Sequence, residues 1–278
     1  MQVKIGKFTV TSIVDAIDID GAPLVSYEAQ AAAAIYAAAG IDFVEDKITM
    51  SIHAFVIEGP GICIAVDTGS PLSFANGMAS KYGENFRAAG FTPEQITHVV
   101  LTHLHIDHVG FMRDASGAAF FPNAELLLSK AELDFVMDQE IYDAGPPARQ
   151  SSMDLGRASI APYKARTRAI DAPGEIVPGL TLVPLYGHTA GHSGVLIEDG
   201  EARLLIFGDV VHHPVLQSAR PDWACIFDAS KPLGEATRRG VFAQAADEGL
   251  LVAGMHLSPP GFAHVRRAGD AFAIDPIS

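Results

Sequence analysis

The sequence predicts an α/β (α+β) protein of two mixed β-sheets packed face to face with helices on the outside. Three observations predict it. Short apolar strands recur in both halves of the chain. Helical stretches interrupt them in both halves, and four of the strands run into groups able to bind a metal ion. The 278 residues are 49% hydrophobic and 19% charged, ample material for a packed core and unlike a disordered chain. Composition does not shift abruptly and no repeat appears, so one domain over residues 1–278 is expected.

The elements follow in order. MQVKIGKFTV reads as a β-strand, the opening strand covering about Lys7–Val14, and lacks the apolar core and small-residue cleavage site of a secretory signal. Gln30–Ala39 has high helix propensity but no clear amphipathic face; a surface helix is expected, with a lid or dimer arm as the alternative. In Lys47–Val56, apolar and polar residues alternate, as in a strand with one buried face. Ile62–Val66 is a short apolar strand that stops at Asp67-Thr68-Gly69, and a helix is expected over about Pro71–Ala89. Thr92-Pro93-Glu94-Gln95 carries a helix-start signal with a capping hydroxyl. Ile96–Thr102 is a strand. Asp143–Lys164, rich in Gly, Pro, Ser and Arg, reads as a long loop. Leu180–Tyr186 is a strand, and Ser193–Glu198 and Glu201–Phe207 flank the hairpin signal Asp199-Gly200. Pro232–Asp247 reads as a helix and Leu250–Gly254 as a strand.

Charge excludes several functions. Nineteen basic against 33 acidic residues give a net charge of −14, which repels phosphate backbones and anionic lipid heads. Neither a nucleic acid nor a membrane is an expected partner, and no run of 18 uncharged apolar residues suggests a membrane span. Two distant cysteines, Cys63 and Cys225, make no disulfide framework and fit a reducing cytoplasm.

The 11 histidines are unevenly spread. The densest group is His103-Leu104-His105-Ile106-Asp107-His108, directly after a strand. The plain alternative is a few surface histidines in a loop, but imidazole with carboxylate is a zinc-type donor set. In extended chain, His103 and His105 point the same way, whereas Asp107 and His108 come where the chain turns and can face a second ion. One ion needs three or four protein ligands, so four here and further candidates elsewhere imply two. Those candidates are His188, Asp209 and His256, each following a predicted strand; each alone is an ordinary loop residue.

Together, Val66-Asp67-Thr68-Gly69, His103 to His108, Gly187-His188-Thr189-Ala190-Gly191-His192, Gly208-Asp209 and the late His256 resemble the metallo-β-lactamase-fold hydrolases. The segments from Gly208 to Pro214, around Trp223 to Asp228, at Thr237-Arg238 and from His256 to His264 resemble its methyl parathion hydrolase and acyl-homoserine lactone lactonase branch. The resemblance implies an αββα four-layer sandwich. It implies one divalent ion on His103, His105 and His188, a second on Asp107, His108 and His256, and Asp209 bridging both. Zinc is the expected metal, with manganese, cobalt or iron as alternatives.

The chemistry implied is hydrolysis by a bridging hydroxide. The site is net cationic with its ions, which suits a small neutral lactone or carboxylic ester. A phosphotriester is the alternative substrate. A β-lactam ranks lower, because zinc β-lactamases often carry cysteine where Asp209 stands. A metal-stabilised sensor without catalysis is the non-enzymatic alternative. Asp107 and Asp209 are expected to be catalytic as well as ligating. His212 joins them, standing where many lactonases carry tyrosine. Asp67 is expected to orient a ligand histidine. His192 and His264 are expected as structural donors near the site, and His53 and His98 as ordinary strand or loop residues. Phe111, Trp223 and Phe227 are candidate pocket walls, with plain core roles as the alternative. A homodimer is allowed.

Overall fold

A computed structural model describes residues 1–19, 24–44, 50–72 and 79–278. Two seven-stranded sheets are stacked. The first runs in chain order through β1 (Gln2–Ile5), β2 (Phe8–Ile19), β3 (Met50–Gly59), β4 (Ile62–Val66), β5 (His98–Leu101), β6 (Glu125–Ser129) and β7 (Thr167–Ile170). Its first half is an antiparallel meander, and β4 to β7 are parallel. The second runs through β8 (Gly174–Val177), β9 (Leu180–Pro184), β10 (Ser193–Asp199), β11 (Ala202–Ile206), β12 (Leu251–Ala253), β13 (Phe262–Ala268) and β14 (Ala271–Pro276). Only the β11–β12 pair is parallel there.

Strand periodicity builds the layers. Phe55, Ile57, Val66, Val100 and Leu127 face Leu182, Val195, Ile197, Leu204 and Ile206 between the sheets. The alternate residues Ala54, Val56, Val99, Leu101, Leu126 and Leu128 point outward. They meet helices α2 (Tyr82–Ala88), α3 (Lys130–Met137) and α5 (Pro147–Ile160). On the other side, Leu205, Val252 and Val265 pack on Val241, Phe242 and Ala245 of α7 (Lys231–Glu248). The αββα arrangement is therefore the observed one. Among the described residues the remaining α-helices are α1 (Ala29–Ala38), α4 (Gln139–Asp143) and α6 (Pro214–Ala219).

Several expectations are corrected. Strand β3 is buried on both faces, not one, because helices cover the side away from the second sheet; residues 47–49 lie outside the described residues. The amino terminus is a hairpin turning at Gly6, not a single strand. The helix expected over Pro71–Ala89 begins only at Tyr82, residues 73–78 lying outside the described residues. Buried Asp15 sets that start by accepting the backbone N–H groups of Lys81 and Tyr82 as well as that of Ser70. The supposed loop Asp143–Lys164 is largely helix α5 followed by a tight 3₁₀ stretch, Ala161–Arg166. Proline in its first turn has no needed N–H to lose, and Gly156 lets the helix approach Leu104 closely. The Thr92 signal makes a capping box on one 3₁₀ turn, Pro93–Gln95. Helix α1 is not a bare surface helix: it buries Ala32 and Tyr36 against Leu216 and Trp223.

The two sheets are tied at the edge that carries the histidines. The His53 backbone N–H donates to Met255 O at 2.8 Å. Its ring is fully buried, donating from Nε2 to Leu257 O and accepting at Nδ1 from Ser12 Oγ, each at 3.1 Å. Burial pushes this imidazole down to about 4. It stays neutral in the fold while the unfolded chain takes a proton below about 6.5, so its stabilising contribution is present above that pH and lost as pH falls towards 4. Between pH 6.5 and 5, wild-type unfolding free energy should fall more steeply than that of His53→Gln, by up to about 1.4 kcal/mol per pH unit. Paired denaturant titrations at each pH measure that difference, and equal slopes would refute it.

Candidate metal centre

The site is assembled from strand ends. Strand β4 stops at Asp67, whose backbone adopts φ 57° and whose carboxylate turns back under the loop after β5. One oxygen of Asp67 accepts Thr102 N–H at 2.8 Å. The other accepts Thr102 Oγ1–H and His108 Nδ1–H, both at 2.7 Å. Asp67 thus holds the His108 ring through its Nδ1. His188 follows β9, Asp209 follows β11 and His256 follows β12, each at the same edge of the second sheet. Asp209 is presented on a turn that needs Gly208. That residue has φ 58°, and a Cβ there would lie 2.4 Å from His192 Nε2.

Asp209 Oδ2 is ringed by imidazoles. Nε2 atoms of His108, His212 and His256 lie 3.2 Å away, that of His188 at 3.4 Å and that of His103 at 3.7 Å. The partners of the far ring nitrogens set the tautomers. His108 Nδ1 donates to Asp67, His188 Nδ1 to Asp228 Oδ1 at 3.0 Å, and His256 Nδ1 to Ser51 O at 2.9 Å. His103 Nδ1 donates to Thr102 Oγ1 at 3.1 Å, since that hydroxyl gives its own proton to Asp67. Each donation leaves an Nε2 lone pair facing inward. Two of those atoms, His103 Nε2 and His108 Nε2, are buried without a hydrogen-bond partner, as is Asp209 Oδ1. Buried lone pairs left unmatched are costly, and cations satisfy them.

The donor atoms group as metal sites require. Donor atoms of His103, His105 and His188 lie within 4.8 Å of one another, and so do those of Asp107, His108 and His256. Asp209 groups with His103 and His108, and with His212 and His256, so it stands between the two sets. The residues present therefore fit two divalent ions. Electrostatics agree. Burial, aided by neighbouring rings, holds His103 and His188 well below the ordinary imidazole range and His105 at about 4. Burial opposes ionisation of Asp209, but His108, His256 and His103 outweigh it and keep the carboxylate charged. Burial likewise opposes protonation of His108, and the carboxylates of Asp209, Asp107 and Asp67 overcome it. A cation entering here competes with a proton for that lone pair.

Residues 49–271 match the metallo-beta-lactamase superfamily. The chain belongs to that superfamily. An N-acyl homoserine lactonase from Bacillus sp is 30% identical over 159 residues, covering 51% of this chain and 54% of the relative. One from Bacillus cereus is 29% identical over 167 residues, covering 54% and 58%. The chain thus spans about half the length of the curated relatives it matches. Among solved structures, the hydrolase AbOPH of the beta lactamase superfamily superposes with a TM-score of 0.90 at 28% identity, covering 100% of this chain and 97% of that one. AidC, a dizinc quorum-quenching lactonase in complex with a product, gives 0.87 at 23% identity over the same shares and is alike in fold.

Within this superfamily fold the other expected residues separate. His192 is structural: Nδ1 donates to Leu185 O and Nε2 accepts the Asp209 backbone N–H. Phe227 is 56% exposed, with its ring 6.5 Å from that of His105, at the mouth of the cluster. Phe111 is instead a core residue against Tyr82 and Phe120, because the loop after His108 folds inward over α2. Trp223 packs under α1. His264 is exposed within β13, opposite Leu251 and Asp275, and not at a strand end, so it is no donor near the centre.

Three supporting residues were given no role from the sequence: Glu132 carries no signal there, whereas Asp228 and Arg238 stand in segments that carry the branch resemblance. Glu132 of α3, 2% exposed, accepts Leu104 N–H at 3.1 Å on one oxygen. On the other it accepts Thr189 Oγ1–H at 2.6 Å and Gly191 N–H at 3.0 Å. It braces the histidine loop of one sheet against that of the other. Asp228 holds His188 and in turn lies 3.4 Å from Nη2 of fully buried Arg238. Arg238 also donates to Val210 O and Pro221 O, both at 2.7 Å. Replacing Glu132 by glutamine sets an amide N–H₂ against a donor. Zinc affinity, read by chelator competition, should fall about 10–100-fold. Asp134→Asn, exposed on the same helix, should leave it unchanged. Equal affinity in the two variants would show that the brace does not shape the centre.

Proposed function

We propose that the chain is a metal-dependent hydrolase that opens a lactone, or cleaves a carboxylic ester, in a small neutral substrate. The observation that carries this reading is the pair of donor groups, His103/His105/His188 and Asp107/His108/His256, meeting at Asp209. In this reading the first set holds one divalent ion, the second holds another, and Asp209 serves both; zinc suits the imidazole and carboxylate donors. When bound, such a pair supplies a nucleophilic hydroxide at neutral pH and a Lewis acid for a carbonyl.

The chain's own groups do the rest. Asp67, Asp228, Thr102 and the Ser51 carbonyl fix the ligand rings. His105 and Asp107 are the part-exposed members, so substrate approaches from their side, past Phe227. His212 stands beside Asp209 and in this reading donates a hydrogen bond to the substrate or to that carboxylate. The lactonase names of the Bacillus relatives support the lactone over other acyl groups. The two free thiols suit a cytoplasmic protein. No helix among the described residues is long and apolar enough to cross a membrane.

Chelator-stripped protein reloaded with zinc or cobalt should hydrolyse members of a panel of acyl lactones and simple esters. With two ions bound and no turnover on any of them, the proposal fails. Asp209→Ala should lower turnover by at least about 100-fold while circular dichroism stays native, since the loss falls on the ions and not on the core. A variant that instead unfolds with undiminished specific activity in its folded fraction would favour a structural metal.

A further inference from the structure

His188 belongs to two overlapping donor groups. Besides its set with His103 and His105, a ring nitrogen of His188, one of His212 and Sγ of Cys225 all lie within 4.8 Å of one another. All three residues are buried, Cys225 completely. The Cys225 backbone is pinned: its N–H donates to Asp228 Oδ2 at 3.1 Å, and it forms a β-bridge with Val25. His212 is held through its own N–H to Gln217 Oε1 at 2.7 Å, and its buried Nδ1 has no nitrogen or oxygen partner. Asp209 Oδ2 lies 3.2 Å from His212 Nε2 and 3.4 Å from His188 Nε2, so this group adjoins the main centre.

We propose that Cys225, His212 and His188 form an alternative cation position, beside Asp209, that takes a soft thiophilic ion such as Cd2+. The main centre offers only nitrogen and oxygen, and a thiolate shifts preference towards softer metals. On binding, the Cys225 thiol releases its proton to solvent and the sulfur lone pair forms the bond to the ion; nothing is oxidised or reduced. The His188 lone pair serves one ion at a time. An ion on Cys225 therefore removes His188 from the set with His103 and His105. A thiophilic ion then disables the centre by occupying it wrongly. That consequence rests on the proposed role of His188, whereas the position itself does not.

The test uses Cd2+ alone on the full chain after chelator treatment. Titration should raise a sulfur-to-cadmium charge-transfer band in the ultraviolet that saturates at one thiolate per chain. The band should vanish in Cys225→Ser and persist in Cys63→Ser, the other thiol. X-ray absorption at the cadmium edge of the wild-type protein should show one sulfur among lighter ligands, a readout that stands even if Cys225→Ser folds poorly. Absence of the band and of sulfur from that shell overturns the proposal, as does a band lost in Cys63→Ser but kept in Cys225→Ser. Because no turnover is measured, failure of the lactone assay and failure of this experiment are separate results.

Discussion

One buried carboxylate oxygen, Asp209 Oδ2, faces five imidazole nitrogens, and the rest of the site is arranged around that contact. Moving a carboxylate out of water costs several kcal/mol even after relaxation. Positive charge repays it: a proton held on His108 by the surrounding carboxylates, or cations that take the place of that proton. A cluster of this kind is a poor way to stabilise a fold, since apolar residues of similar volume do at least as well. Its cost is intelligible when cations bind there.

The sandwich places this cluster without burying it beyond reach. Both sheets end at one edge, and each contributes short loops that need little length to converge. What holds the loops is a set of buried polar groups under the rings. Asp67 and Thr102 act beneath the first sheet's loop, Asp228 and Arg238 beneath His188, and Glu132 between the two. Glycines are used where backbone must pass close to something. A Cβ on Gly191 would sit 2.0 Å from Glu132 N, so the brace and the glycine depend on each other.

Much of this was legible in the chain. The strands at Ile62–Val66, Leu180–Tyr186 and around Asp199-Gly200 appear within a residue or two of their expected bounds, because apolar runs ended by Gly, Asp or Asn-type turns are local signals. The seven candidate ligands named from the chain come together at one edge, and their spacing and place after strands are written in one dimension. The misread segment 143–164 shows the opposite case. Its Gly, Pro, Ser and Arg content argues for a loop, yet packing of Met153, Gly156 and Ile160 beneath the outer layer overrides propensity. Helix α1 was legible as a helix but not as a partner of Trp223, since its alanine face names no neighbour.

Local pattern in the chain is enough to name the chemistry available: which residues can donate to a metal, and that they follow strands. The tertiary structure alone decided which ring nitrogen each histidine offers. That depends on Asp67, Asp228, Thr102 and the Ser51 carbonyl, which lie between one and 205 residues away along the chain. It also decided that Glu132 braces the centre and that Cys225 adjoins it. The reason is physical. A ligand motif is a local pattern, whereas a tautomer, a brace and a neighbouring thiol are contacts between distant segments, fixed only when two apolar sheets close on each other.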